Sequence, residues 1–174
     1  QAFDVGRRAF ITLTDDTMRD IDIALTGRWA VGRDTRGYIH DYERPAADLY
    51  RVDTTTGERT LMFKGQLIGS HLFGISPNGR QFLYWKDDRV HAFDLDAATS
   101  RPLGGPKPVS FVDMEFDRPG PKPSYGVAGY TPDGSAVVMQ HRYDLWVLPL
   151  DGSAGRNLTN GEGTKQEIRF RVVR

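Results

Sequence analysis

The sequence predicts an all-β fold: an incomplete β-propeller of about three four-stranded antiparallel blades, with extra strands at both ends. Three observations predict it. The turn "SPNG" at Ser76 returns as "TPDG" at Thr131, each leading into an apolar run, and the offset of 55 residues holds without a gap. The runs "FLYW" and "LWVL" are apolar at consecutive positions, where a strand with one wet face would alternate. Internal repeats of roughly 50 residues are the range of solenoids and propellers.

The repeats extend well past their turns. Pro77 meets Pro132, Gly79 meets Gly134, Phe93 meets Leu148, Asp96 meets Asp151 and Leu103 meets Leu158. An earlier copy begins at "TGRWAVGRD", with Gly27 on Gly79, and is lengthened by the insertion "TRGYIHDYERPAA" over Thr35–Ala47. The blade-like units fall at about 18–63, 68–103 and 123–159. In the last unit "SYGVAGYT", "SAVVMQH", "YDLWVLPL" and "GRNLT" are the four strands. Pro presets φ at the turn and Gly accepts the positive φ of a tight hairpin. "RAFITLTDD" reads as the tail of an earlier blade and "KQEIRFRVVR" as the opening strand of a later one, so 1–16 and 165–174 are assigned to neighbouring blades. A ring takes about four to eight blades. The chain is therefore expected to be a fragment or to close by self-association through its open blade edges. It begins with Gln, which suggests processing or truncation.

Composition limits the function classes. Lys+Arg and Asp+Glu balance at 23 each, with no polybasic run, which argues against a nucleic-acid surface. There is no cysteine, so disulfides and thiolate metal sites are excluded. No apolar stretch approaches the ~20 residues of a membrane-spanning helix. The first residues show no apolar signal-peptide core. A periplasmic or secreted location is favoured over a cytoplasmic one. No cofactor or metal is expected.

Each candidate residue has an architectural reading beside the chemical one. Ser76 and His71 suggest a nucleophile system, but Ser76 is a turn residue as Thr131 is in the sister repeat. His91 fills a slot held by Tyr50 and Trp146, which favours an aromatic packing role over metal ligation. Asp87-Asp88 and Asp15-Asp16 read as turn chemistry rather than acid–base or cation sites. Arg59, Arg101 and Arg156 recur at one position. Pairing within each blade is favoured over a ring of cations facing an anion. Asn157-Leu158-Thr159 matches a glycosylation acceptor but coincides with a fourth strand and reads as structural. The Pro-rich stretch from Gly104 to Ser124 is long enough to be a recognition loop or a plain linker. The insertion supplies the remaining candidate contact residues: His40, Asp41, Tyr42, Glu43 and Arg44.

The turn motif followed by "DLWVLPLDG" and "RNLT" resembles the blades of TolB-type propellers. "GRWAVGRDTRGYIHDYERPAADLYRVDTTTGER" and "YDLWVLPLDGSAGRNLTNGEG" are similar to the propeller of prolyl-oligopeptidase-family serine peptidases. That resemblance implies a non-catalytic propeller that gates or positions peptide substrate for a hydrolase domain absent from this chain. The partners it implies are a peptide substrate or that hydrolase domain. The catalytic serine would sit on a G-x-S-x-G elbow. The chain has none, because "GISPNG" has the wrong spacing, so no catalytic residue carries over. Dipeptidyl members hold the substrate amine with paired acidic residues. Here Asp41 and Glu43 are not adjacent and Arg44 follows, which departs from that pattern. A TolB-type interaction module without enzymatic activity is the alternative.

Overall fold

The computed structural model describes residues 1–24, 27–40, 44–106 and 109–173. It contains three four-stranded antiparallel sheets and one two-stranded hairpin. The hairpin joins β1 (Ala2–Asp4) to β2 (Ala9–Ile11). Blade A comprises β3 (Asp20–Ile23), β4 (Trp29–Asp34), β5 (Ala46–Asp53) and β6 (Arg59–Leu67). Blade B comprises β7 (Leu72–Ile75), β8 (Gln81–Lys86), β9 (Arg89–Asp94) and β10 (Thr99–Pro102). Blade C comprises β11 (Val127–Tyr130), β12 (Ala136–Gln140), β13 (Leu145–Pro149) and β14 (Arg156–Asn157). Every blade pairs its strands in chain order, a simple meander, and the three make an unclosed propeller.

The repeated turn works the same way twice. Ser76 Oγ accepts the Gln81 N–H at 3.0 Å, and Thr131 Oγ1 accepts the Ala136 N–H at 3.0 Å. The Gly79 and Gly134 N–H groups each return to the turn's first carbonyl at 2.8 Å. Both glycines have φ near +70°, which a side chain would resist. The hydroxyl at the first position therefore closes the turn. Asp87 and Asp88 both take positive φ between β8 and β9, the geometry of a type I′ hairpin.

Consecutive apolar residues point to opposite faces of a strand. In β8, Phe82 and Tyr84 pack with Val31, Ala47 and Leu49 of blade A. Leu83 and Trp85, between and after them, pack with Val137, Met139 and Leu148 of blade C. All four β8 side chains are buried. Blade A buries its other face, through Ala30 and Val52, against Leu13 and Met18 of the N-terminal segment. Met18 passes so close to Gly32 that a Cβ there would overlap its sulfur.

Polar clasps hold the blade edges. Trp29 lies under the Arg28 and Arg51 guanidinium groups and donates Nε1–H to Asp96 at 2.7 Å. Arg51 donates to the Leu95 carbonyl at 2.7 Å, so blade A grips the end of blade B. Burial pushes the Asp53 carboxyl up, but hydrogen bonds from Arg28 and Thr55 outweigh it and hold its pKa at about 2. Of the recurring arginines, Arg101 reaches Asp94 in its own blade at 3.8 Å. Arg59 instead reaches out of its sheet to Asp15 at 2.9 Å and to the Leu13 carbonyl.

The strand expected over Lys165–Arg174 is not formed in the described residues. The chain makes a helical turn, α1 (Glu162–Gln166), and no strand follows it through residue 173. Buried Asp144 explains the turn. Its carboxylate accepts Gly163 N–H at 3.0 Å, Thr164 N–H at 3.2 Å and the hydroxyls of Thr159 and Thr164, each at 2.5 Å. Two successive N–H groups reach one carboxylate from a helical turn, not from a pleated strand. Thr159, the third residue of the glycosylation-type triplet, is thereby tied down, and Asn157 Oδ1 accepts its N–H at 2.9 Å.

Burial on both faces predicts two similar losses. Phe82→Ala and Leu83→Ala each lower stability by about 2–5 kcal/mol in urea unfolding, because each opens a different blade interface. A loss below about 1 kcal/mol for either one would mean that its face is not a packed interface.

Candidate functional site

One end of the propeller carries the connections between second and third strands and the crossings between blades. There the edge of blade A, the Asp87-Asp88 hairpin of blade B and the long loop before blade C enclose a cleft of about 600 Å³. Its polar lining includes Arg44, Lys64, Lys86, Asp87, Asp88 and Lys122, and its apolar lining includes Leu67, Trp85, Val112, Met114 and Pro121.

Each wall has a local cause. Asp48 Oδ1 accepts Gly65 N–H at 2.9 Å and the Tyr38 hydroxyl at 2.6 Å, where the β5–β6 register shifts. Gly65 takes φ +60° there, with the Tyr38 hydroxyl 3.4 Å from where its Cβ would lie. This bulge shifts the register of the outer strand at exposed Lys64. Buried Gln66 next to it donates to the Leu67 carbonyl at 3.0 Å and the Trp85 carbonyl at 2.9 Å, stapling β6 to β8.

The long loop is anchored rather than loose. Phe111 is buried edge-on to Trp85, Trp146 and His141, with ring centroids 6.4 to 6.5 Å away. Val112 bridges Ser124, and Asp113 N–H donates to the Pro123 carbonyl at 2.8 Å, so the loop closes on itself. Buried His71 places Nε2 3.1 Å from the Lys122 carbonyl and Nδ1 3.4 Å from that of Ile68. Lys122 Nζ donates to the Met114 carbonyl at 3.0 Å. Met114 remains 61% exposed over the cleft.

The structure sorts the candidates from the sequence. Arg44 lines the cleft. His40 is exposed and is not part of the lining, while Asp41, Tyr42 and Glu43 lie outside the described residues. The insertion and the long loop, separate in sequence, therefore meet at one site through Arg44 and through Met114, Pro121 and Lys122. Lys64, Lys86 and Trp85 were missed. Lone lysines look like solvated surface, and only the fold brings them together. Ser76 Oγ donates to Asn78 Oδ1 at 2.7 Å and His71 faces carbonyl oxygens, so each is committed to architecture. Among the described residues no three His, Asp or Glu side chains gather as a metal site.

A second cleft, of about 450 Å³, runs between β3 and β7. Its charges answer each other: Arg33 pairs with Asp22 at 3.0 Å. The first cleft has exposed cations instead. Among the described residues Lys64 and Lys86 make no ion pair.

Two further histidines sit in the blade walls. His91 stacks on Tyr84 at 5.3 Å, which fits the aromatic slot read from the repeats. Burial pushes the pKa of both His91 and His141 below the usual 6.5, outweighing the opposing pull of Asp87 on one and Asp144 on the other. Lys86 and Arg89 near His91, and Arg142 near His141, push the same way as burial.

No family model and no curated protein matches the chain. Among solved structures, one carrying a TolB assignment, from Agrobacterium tumefaciens, is 19% identical over 87% of this chain and 48% of that one, with a TM-score of 0.44. The chain thus spans about half the length of that structure.

The histidines give a pH dependence of defined sign. Neutral His91 and His141 stabilise the fold fully above about pH 6.5. As pH falls below that value the unfolded chain binds protons that the folded chain resists, and stability is lost. The urea midpoint therefore drops between about pH 7.5 and about pH 5.5, and drops less in the H91F/H141F variant. An equal drop in both proteins would remove these histidines from the account.

Proposed function

We propose that this chain is a non-catalytic, partner-binding segment of a propeller, and that an extended stretch of another polypeptide docks in the cleft between blade A, blade B and the long loop. The observation that carries this reading is the convergence of that cleft. Four separate stretches of chain supply apolar side chains and exposed charges to one concave surface. A largely pre-formed concavity with an apolar floor and a few charged groups is the general form of a binding site. Anchoring of the loop by Phe111 and His71 lowers the entropy cost of binding, because little must be ordered on contact.

The sequence resemblance to prolyl-oligopeptidase propellers extends the proposal to a finer reading. The bound stretch would then be a peptide substrate on its way to a hydrolase domain, or a segment of that domain. This finer reading rests on the resemblance alone. A following G-x-S-x-G elbow in the coding frame would support it, and further sequence without one would leave the interaction module.

Panning random displayed peptides against the immobilised chain tests the site. Selected binders are expected to lose at least about tenfold in affinity on Met114→Asn, which removes an exposed apolar contact over the cleft without adding charge. The same binders should be indifferent to Ile23→Asn in the other cleft. Selection of no peptide that responds to Met114→Asn would overturn the assignment.

A further inference from the structure

We infer that the cleft selects acidic partner segments, short stretches carrying carboxylates around an apolar anchor. This rests on the reading of the cleft as a polypeptide-binding site.

Lysine usage is the first observation. The chain holds five lysines against many more arginines, and three of the five, Lys64, Lys86 and Lys122, line this one cleft. Lys165 pairs with Glu162 at 2.7 Å, and Lys107 lies outside the described residues. Arginines supply the cation in every other ion pair of the described residues, from Arg7 with Asp4 to Arg142 with Glu115. An ammonium is a compact charge on a flexible stem, free to follow carboxylates whose geometry varies from one partner to the next. The fixed fork of arginine suits the fixed pairs that hold the blades together.

Charge complementarity is the second observation. The chain is neutral as a whole, so no general attraction draws anions to it. The cationic excess is local: among the described residues the lining carries Arg44, Lys64, Lys86 and Lys122 against Asp87 and Asp88, and Lys64 and Lys86, exposed and in no ion pair among those residues, stand on two different walls of the concavity. Lys122 is held in place by its bond to the Met114 carbonyl. Low-dielectric walls focus the field of such charges into the space between them.

The third observation is the floor. Leu67, Trp85, Val112 and Pro121 line the cleft beside Met114, whose thioether adapts to differently shaped apolar groups. Asp87 and Asp88 share the hairpin with Lys86. Their carboxylates line the same cleft and repel acidic groups of any partner at that rim, so a short segment, which can place its carboxylates away from the hairpin beside Lys64 and Lys122, is favoured over a long polyanion that must cross it. The cleft volume, about 600 Å³, accommodates a few residues.

Fluorescence anisotropy with three labelled peptides tests the inference. The first alternates leucine and glutamate; its twins carry glutamine or lysine in place of glutamate. The acidic peptide is expected to bind at least about tenfold more tightly than either twin, and to weaken as salt shortens the screening length below about 8 Å. Lys64→Glu with Lys86→Glu should abolish its preference, and Lys64→Gln with Lys86→Gln should weaken it. Both residues are exposed, so the fold is retained. Equal binding of the three peptides, or tightest binding of a twin, overturns the acidic preference while panning can still uphold the cleft. Competition by a single-stranded oligonucleotide at equal charge concentration would also overturn it. Failure of panning to yield any cleft-dependent peptide overturns the underlying reading itself.

Discussion

Blade B has no wet face. Phe82 and Tyr84 belong to the interface with blade A, and Leu83 and Trp85 to the interface with blade C. Burial of large apolar side chains stabilises by roughly 1.5–3 kcal/mol each, and here one six-residue strand contributes four of them. A strand so built has no stable existence outside a stack. The position of every other element follows from that requirement, including the loop that carries Phe111 into the blade B–blade C core.

The cleft is a by-product of the same stacking. Flat sheets meeting face to face leave their strand ends uncovered, and the connections at those ends define the available surface. At one end the connections are a bulge around Gly65, a tight hairpin at Asp87-Asp88 and a loop anchored by Phe111 and His71. Each is rigid for a separate reason: a carboxylate under a glycine, two residues at positive φ, and two buried rings. Together they hold lysines from distant parts of the chain in one concavity. The charge at the site is thus set by the fold and not by any local run of basic residues.

The architecture was legible in the sequence because stacking leaves a strong mark. Consecutive apolar positions, the hydroxyl-Pro-Asn/Asp-Gly turn and the fixed offset all follow from strands buried on both faces. The turn residues Ser76 and Thr131 repeat because their hydroxyls close the same hydrogen bond. The helical turn after Thr159 carries no local signal, because it is Asp144, far back before β13, that gathers the N–H groups of Gly163 and Thr164. The site was only half legible. Length and proline content pointed to the loop and the insertion, and Arg44 lies where the insertion meets the cleft. Lys64, Lys86 and Lys122 gave no signal because their meaning depends on three-dimensional neighbours.

Amide hydrogen exchange, resolved along the chain, tests the stacking most directly. Blade B has a blade packed on each side, whereas blade C is packed on blade B alone among the described core clusters, so residues 82–85 and 90–93 should exchange more slowly than the central strands of blade C. If the central strands of blade B exchange as fast as those of blade C, or faster, burial of both its faces is not what holds the structure together.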